Sequence, residues 1–422
     1  MIRILTRIVS GRTAAATIKR LAARSAQFDL LEPRVRRIVN DVRRNGDRAL
    51  RRYAQQLDGL APHQPLRVSE EELARALRSL PTPLRKSLRL AAQNIRRFCH
   101  WQKPRSWTHT RDGISLGQVL RPLESVGCYV PGGRHPLMST LLMTVIPAQV
   151  AGVKNIRVAS PQPSQEVLAA AAMLGVGEVY RVGGAQAISA FAYGTRTIQR
   201  VDKIVGPGNA YVTIAKKLVS FDCAIDFLAG PTEAVILSYA LSYAGIPEFI
   251  AADLVAQAEH DPDAMGVLIT TSTRLARSVA REIDRLAQEN PVAQQSLRKR
   301  GAILIASSRE QAREWANLLA PEHITAPAED LPFIHNAGSI FLGDYSAQAA
   351  GDYASGPNHV LPTSGQARFR GGLSVMDFLK VITVQRLSSG GLRRIAPVVE
   401  CLATAEGLPA HAQSIRVRCE RA

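Results

Sequence analysis

The chain has 422 residues, 46% hydrophobic and 21% charged, a balance typical of a globular protein with more than one core. No apolar run reaches the roughly 18 residues of a membrane span, and the N-terminus lacks the apolar stretch of a secretory signal. The net charge is +18, but the arginines are spread among acids and only 5% of residues are aromatic. We therefore expect a basic solvated surface, with no nucleic-acid partner and no membrane partner.

The five cysteines are odd in number, lie far apart and form no CxxC pair, which favours a reducing cytoplasm over a disulfide framework. Cys128 and Cys223 lie among apolar residues and are expected to be inert small hydrophobes.

Residues 1 to about 105 are predicted to be mostly helical, because apolar residues such as Val35, Ile38 and Val42 recur at helical spacing among charged ones. From about 118 to 240, short apolar runs alternate with helix-length segments. The predicted strands are 156–159, 178–182, 203–205 and 234–237, and the predicted helices are 138–152, 164–175, 185–193 and 208–219.

The alternation resumes with apolar runs at 266–269, 302–305 and 339–342. Strand and helix in turn predict parallel sheets covered on both faces, here in two α/β units. After about 370 comes a shorter tail, rich in Arg and Gly, which ends in an alternating stretch at 414–418.

Three glycine-rich loops follow apolar runs, at 129–133 (YVPGG), 182–186 (VGGAQ) and 205–209 (VGPGN). Glycine there lets backbone N–H groups approach an anion without an intervening Cβ. Each loop alone could be a packing device. Three from consecutive strands of one sheet favour a ligand site at the carboxyl ends of those strands.

Two segments place histidine beside other chemically useful groups. Gln257 and His260 are three residues apart and share one helix face, where they could hold a metal, although a helix-terminal histidine that meets the dipole is the alternative. Glu322 and His323 are neighbours whose side chains diverge, so each could address a different part of one substrate. A surface loop pair is the alternative there.

Two further loops carry an acid and a histidine among turn residues. One contains Asp352 and His359, and the other contains Glu406 and His411. Polar loops of this content often carry function.

Taken together, the segments resemble the histidinol dehydrogenase family over nearly the whole chain, most strongly at 126–380 and 406–418. The family's motifs occur in order: VGCYVPGG, VGGAQAI, VDKIVGPGNAYV, AGPTE, AQAEHDPD, APEHI, GDYASGPNHVLPTSGQARF, GLSVMDF and EGLPAHAQSIRVR. One departure is Thr232, which stands where the family usually has serine; the hydroxyl is kept and a methyl is added.

The resemblance implies an enzyme that oxidises L-histidinol through L-histidinaldehyde to L-histidine with two NAD, in the last steps of histidine biosynthesis. It implies zinc held by Gln257, His260, Asp352 and His411. NAD contacts fall on Tyr129, Gln186 and Asn209. Substrate contacts fall on Thr232, His323, His359 and Glu406 besides the four metal ligands.

By the same likeness, His323 takes the alcohol proton while hydride leaves for NAD, and Glu322 then activates the water that attacks the aldehyde. The family's enzymes are homodimers with exchanged C-terminal segments, so Glu406 and His411 are expected to serve the partner's site.

The resemblance also implies a fold of two incomplete Rossmann-like parallel-sheet domains with small helical N- and C-terminal segments. We expect an N-terminal helical arm at 1–25, a metal- and substrate-binding domain from 26–105 and 234–370, an NAD-binding domain at 106–233 and an exchanged C-terminal segment at 371–422. Two rivals stay open: a related zinc dehydrogenase for another small alcohol, and a non-catalytic or nucleic-acid-binding protein suggested by the charge.

Overall fold

A computed structural model describes residues 6–24, 30–132, 137–239 and 246–421. The N-terminal elements are β1 (Arg7–Ser10), α1 (Gly11–Ala22), α2 (Glu32–Leu57), α3 (Glu70–Ser79) and α4 (Thr82–Gln102). The three later helices each bury an apolar face, in keeping with the helical periodicity seen in the sequence.

A five-stranded parallel sheet, with strand order β6-β5-β4-β7-β8, forms the centre of the first α/β unit. The elements in this part of the chain are β2 (Trp107–Arg111), β3 (Ile114–Pro122), β4 (Ser125–Tyr129), α5 (Met138–Ala151), β5 (Asn155–Ala159), α6 (Gln165–Met173), β6 (Glu178–Tyr180), α7 (Gly184–Tyr193), β7 (Lys203–Val205), α8 (Ala210–Val219) and β8 (Ala224–Ile225). Helices α5 to α8 cover both faces of this sheet. They supply much of two apolar cores, one shared with α3 and α4 and the other shared with α2.

A six-stranded parallel sheet, with order β1-β11-β10-β9-β12-β13, forms the second unit. Its elements are β9 (Glu233–Leu237), α9 (Pro247–Ala258), β10 (Met265–Thr270), α10 (Thr273–Leu286), α11 (Pro291–Arg300), β11 (Ala302–Ile305), α12 (Arg309–Leu319), β12 (His323–Ala326), β13 (Ser339–Leu342) and α13 (Gln348–Tyr353), with a short 3-10 helix at Ala328–Phe333. The prediction of two incomplete Rossmann-like parallel-sheet units is confirmed.

A third, antiparallel sheet has the order β14-β3-β2 and joins distant parts of the chain. The C-terminal elements are short 3-10 turns at Gln366–Arg368 and Val375–Phe378, then β14 (Leu379–Leu387), α14 (Ser389–Ala405) and α15 (Pro409–Arg421). The alternating stretch at 414–418 therefore lies in a helix, whose side chains are mostly exposed.

The packing of the N-terminal third differs from the grouping expected from sequence. Helices α2, α3 and α4 share their cores with the five-stranded sheet and its helices, whereas 26–105 was expected to join 234–370. The segment expected as a helical arm at 1–25 contributes β1 to the edge of the six-stranded sheet. An apolar helix face predicts burial, but it does not say which sheet provides the cover.

The carboxyl edges of the two parallel sheets differ in what occupies them. In the five-stranded sheet the glycine-rich loops follow the carboxyl ends of the strands, as in other sheets of this class. At the carboxyl edge of the six-stranded sheet, between β9 and β12, the Tyr239 hydroxyl bonds to buried Asp330, which also pairs with Arg313. A cavity of about 30 Å³ at this edge is lined by residues of β9, α9 and β12 and not by the network. No helix within the described ranges is long and apolar enough to cross a bilayer.

Stability should depend on the core between α2, α7 and α8. Phe191 in α7 is fully buried and lies directly against the backbone of Gly127 in β4. Phe191→Ala should lower the free energy of unfolding by about 3–5 kcal/mol, because a large cavity remains. Phe221→Ala is the matched control, since that ring is fully exposed and its loss should change stability by less than about 0.5 kcal/mol. Urea unfolding measures both; equal shifts would contradict the packing described.

Candidate active site

Glu322 and His323 lie at the amino end of β12, next to the start of β9. Both side chains are buried, with 7% and 3% residue exposure. Glu322 Oε2 accepts hydrogen bonds from the Thr232 hydroxyl and, at 2.9 Å, from the backbone N–H of Glu233. Burial raises the pKa of Glu322 to about 7, against the opposing effect of these donors and of His323. This carboxyl group can therefore hold or release a proton near neutrality.

His323 lies between two carboxyl groups. Its Nε2 is 3.4 Å from Asp352 Oδ1 and its Nδ1 is 3.8 Å from Glu322 Oε2, the latter beyond hydrogen-bond length, as expected for diverging neighbours. Burial opposes the charged imidazolium, yet the Glu322 and Asp352 carboxylates outweigh it and raise the pKa of His323. Among the described residues Nδ1 has no hydrogen-bond partner. A buried, unpartnered ring nitrogen beside a carboxylate can act as a general base.

His359 joins the two α/β units. Its Nδ1 lies 2.8 Å from the Asp352 carbonyl oxygen, and its Nε2 lies 3.5 Å from the Thr140 hydroxyl of α5. Burial lowers the pKa of His359, so the ring is neutral with its proton on Nδ1. A cavity of about 520 Å³ reaches both His323 and His359, and its wall includes the aromatic rings of Phe98, Phe341 and Tyr345.

Two of the predicted zinc ligands, Gln257 and His260, each keep one polar atom free of hydrogen bonds to the described residues. Gln257 donates its Nε2 to the Thr232 hydroxyl, which leaves its carbonyl oxygen unused. The Nδ1 of His260 lies 2.9 Å from the Ala256 carbonyl oxygen, which leaves Nε2 with a lone pair. Burial opposes ionisation of Asp352, yet the hydrogen bond and the charge of His323 outweigh it and lower the pKa of Asp352. Nitrogen and oxygen donors of this kind fit zinc.

No group of three or more His, Cys, Asp and Glu side chains in the described part of the chain is spaced to hold a metal. Glu406 and His411 lie exposed on the C-terminal helices α14 and α15, which pack mainly on each other. The structure thus brings Thr232, Glu322, His323, Asp352 and His359 together, with Gln257 bonded to Thr232. It does not bring Glu406 and His411 to them within one chain.

A second cavity of about 510 Å³ lies at the carboxyl edge of the five-stranded sheet. All three residues predicted to contact NAD line it: Tyr129, Gln186 and Asn209. The Tyr129 hydroxyl accepts the N–H of Gly184, so its own hydrogen is free to donate. Asn209 Oδ1 caps α8 by accepting two backbone N–H groups, which leaves its amide NH₂ free.

A buried ion pair holds the 205–209 loop. Asp226 accepts the Gly206 N–H at 2.7 Å and pairs with Lys216 at 2.6 Å, and Lys216 also donates to the Gly206 carbonyl. Gly206 has a φ of +113°, and a Cβ there would collide with the carbonyl oxygen of Tyr129. Glycine at this position lets two strand ends approach each other.

Two residues of the active-site surroundings went unnoticed in the sequence. Arg24 forms a bidentate buried pair with Glu233, the residue whose N–H holds Glu322. Asp253 on α9 accepts the Gln348 N–H at the start of α13, the helix that carries Asp352, and burial raises the pKa of Asp253 to about 6. Neither residue lies in a local pattern that distinguishes it from other charged residues.

A family model described as histidinol dehydrogenase matches residues 21–419. The chain is 47% identical over 408 residues to histidinol dehydrogenase of Methanothermobacter thermautotrophicus, covering 92% of this chain and 93% of that one. It is 46% identical to the enzyme of Gluconobacter oxydans, covering 95% and 96%. The crystal structure of histidinol dehydrogenase from Elizabethkingia anophelis superposes with a TM-score of 0.94 at 35% identity, covering 99% of each chain.

Loss of one charge of the Arg24–Glu233 pair should destabilise the fold strongly, whereas loss of both charges should cost much less. Arg24→Met leaves a buried carboxylate without its partner and should lower the free energy of unfolding by about 3–5 kcal/mol. The double variant Arg24→Met/Glu233→Gln should regain most of that loss, as measured by urea unfolding. Arg36→Met, which removes an exposed pair with Glu32, is the control and should cost less than about 1 kcal/mol. If the double variant is no more stable than Arg24→Met, the pairing is not the cause.

Proposed function

The chain belongs to the histidinol dehydrogenase family, and on that premise we propose that it oxidises L-histidinol to L-histidine with two molecules of NAD in one site. The family membership carries the activity and its place in histidine biosynthesis. The roles of NAD, zinc, individual side chains and a second subunit are the parts that we propose. The cytoplasmic location expected from the sequence stays a prediction.

The observation that carries the residue roles is the buried Glu322–His323 pair. In the first step His323 accepts the hydroxyl proton of the alcohol while the carbinol carbon gives hydride to NAD⁺, which leaves an aldehyde. In the second step Glu322 takes a proton from water, and the resulting hydroxide adds to the aldehyde carbon. The hydrate anion then gives its hydride to a second NAD⁺, and the carboxylic acid so formed releases its proton to solvent and becomes the carboxylate. A pKa near 7 suits Glu322 to a base that must be regenerated at neutral pH.

The cavity at the carboxyl edge of the five-stranded sheet is the proposed NAD site. Its size falls within the range of small-molecule pockets, and Tyr129, Gln186 and Asn209 come from the end of β4 and from the helix starts that follow β6 and β7 of the same sheet. Tyr129 and Asn209 offer donors there, as their hydrogen bonds to the backbone require.

We propose that Gln257, His260 and Asp352 hold zinc together with His411 of a second subunit. The ion would supply a positive charge that orients the substrate's amine and imidazole and polarises the reacting oxygen. The free carbonyl oxygen of Gln257 and the free Nε2 of His260 support this assignment. Thr232 would then position both a zinc ligand and the carboxyl group that activates water. Its hydroxyl accepts from Gln257 and donates to Glu322.

The C-terminal segment supports a homodimer with shared sites. Helices α14 and α15 carry exposed apolar side chains, among them Val398 and Leu402 at 59% exposure each. The β14 strand exposes Val381, Ile382 and Val384 as well. A partner subunit that covers these surfaces would also place Glu406 and His411 in a neighbouring active site.

The proposed chemistry can be tested by counting NADH. Wild type should form two NADH per L-histidinol, and a chelator should abolish this until zinc is restored.

Glu322→Gln should slow oxidation of histidinaldehyde by at least about 100-fold while slowing alcohol oxidation far less, because only the second step needs an activated water. Stopped-flow absorbance of NADH with each substrate separates the steps.

His323→Gln is the matched control, since it should slow oxidation of the alcohol more than oxidation of the aldehyde. Equal losses of both steps in Glu322→Gln would contradict the separate roles. Absence of NADH formation by a zinc-loaded wild-type enzyme would remove the proposed function altogether.

Shared sites can be tested with a hybrid dimer. A dimer of one Glu322→Gln chain and one His411→Ala chain, isolated with two different tags, contains one doubly damaged site and one intact site if the tails are exchanged. Its activity should be about half that of wild type, although each homodimer is nearly inactive.

The control hybrid combines Glu322→Gln with His323→Ala, which lie in the same subunit body and leave one lesion in each site. It should stay inactive. If the first hybrid is as inactive as this one, His411 serves the site of its own chain.

A further inference from the structure

We infer that Asp58 is a positioning residue that turns the carbonyl oxygen of Gln186, rather than its NH₂ group, toward the bound dinucleotide. The inference rests on the proposed function, in which this cavity holds NAD. Asp58 follows the last turn of α2 and belongs to the lining of the cavity, although its side chain is largely buried.

One carboxyl oxygen of Asp58 accepts hydrogen bonds from two N–H groups, one in the loop after β6 and one in the first turn of α7. Oδ2 accepts the Gly183 N–H at 2.9 Å and the Gln186 Nε2 at 3.0 Å. These bonds tie a loop and a helix of the five-stranded unit to the end of α2, a helix from the N-terminal third. Because the contacts are buried, neither donor would find water in place of Asp58.

The hydrogen bond to Asp58 decides which way the Gln186 amide faces. An oxygen that already receives a backbone N–H is an acceptor, so Gln186 must present its NH₂ to it. Burial raises the pKa of Asp58, but Oδ2 accepts both bonds whether or not the other oxygen carries a proton. Gln186 uses its Nε2 for this bond and lines the cavity, so its carbonyl Oε1 is the polar atom left to face a ligand there.

The backbone of Gly184 completes this arrangement. Its φ is +57°, and a Cβ there would lie 2.8 Å from Gln186 Oε1, so the glycine leaves room for the oriented amide. The cavity therefore offers an acceptor at Gln186 and donors at Tyr129 and Asn209. An acceptor matches a ribose hydroxyl or an amino group of NAD and repels its phosphate oxygens, which carry no hydrogen.

The test measures NAD binding to the full-length zinc-loaded enzyme by isothermal titration calorimetry, without substrate. Asp58→Ala should raise the Kd for NAD about 10-fold or more, since the amide loses the bond that orients it. Asp58→Asn should stay within about threefold of wild type, because the amide oxygen can still accept both bonds. In a Gln186→Ala background, Asp58→Ala should add less than about threefold, because Asp58 then has no amide to orient.

Variants of residue 186 cover the case in which Asp58→Ala does not fold. Gln186→Glu keeps an oxygen but cannot donate to Asp58, so it should weaken NAD binding by about 10-fold or more. Asp58→Asn should not restore this affinity, because the oxygen that faces residue 186 also accepts the Gly183 N–H and an NH₂ group cannot replace it there.

The outcomes separate the two proposals. If wild type fails to bind NAD, the proposed function falls and this inference falls with it. If wild type binds NAD but Asp58→Ala binds equally well, the inference alone is overturned. It is also overturned if Asp58→Ala costs as much in the Gln186→Ala background, since Asp58 then acts through the Gly183 loop only, or if Gln186→Glu binds NAD as tightly as wild type.

Discussion

The buried carboxyl group of Glu322 is the group on which the arrangement of the site depends. A carboxylate away from water needs donors at fixed positions, and here the Thr232 hydroxyl and the Glu233 N–H provide them. Both donors stand at the start of β9, whereas Glu322 itself directly precedes β12. Glu233 is in turn neutralised by Arg24, so that the N-terminal segment, β9 and β12 are locked together around one proton-carrying group. A change in any of them alters the chemistry as well as the stability.

The proposed catalytic residues therefore lie at the amino edge of one sheet, while the proposed NAD cavity lies at the carboxyl edge of the other. The segment near His359 connects them, since this ring contacts Asp352 on one side and Thr140 of α5 on the other. Further bonds from the same stretch reach the linker between the sheets, among them that of the Gly230 N–H to the Thr363 hydroxyl. These contacts fix the relative position of the two edges.

Local pattern was sufficient for β5, β6, β7, β9, β10, β11 and β13, for helices α5 to α8 and for the glycine loops, because each has a period or a turn residue of its own, whereas β1, β4, β8 and β12 were not among the predicted strands. It was insufficient where the partner is remote. The β14–β3 pairing joins Lys380 to Arg121, and neither strand shows a continuous apolar run. For the same reason the buried partners Arg24 and Asp58 escaped notice, whereas Glu322 and His323 stood out as neighbours. The family resemblance, not spacing, supplied the ligand set that includes His411.

The network of Tyr239, Asp330 and Arg313 lies at the carboxyl edge of the six-stranded sheet. If the cavity of the five-stranded sheet is the NAD site, two molecules of NAD must bind there one after the other. The first NADH must leave and a second NAD⁺ must enter while the aldehyde stays bound. Residues at the amino edge of the six-stranded sheet would then have to hold the aldehyde during this exchange.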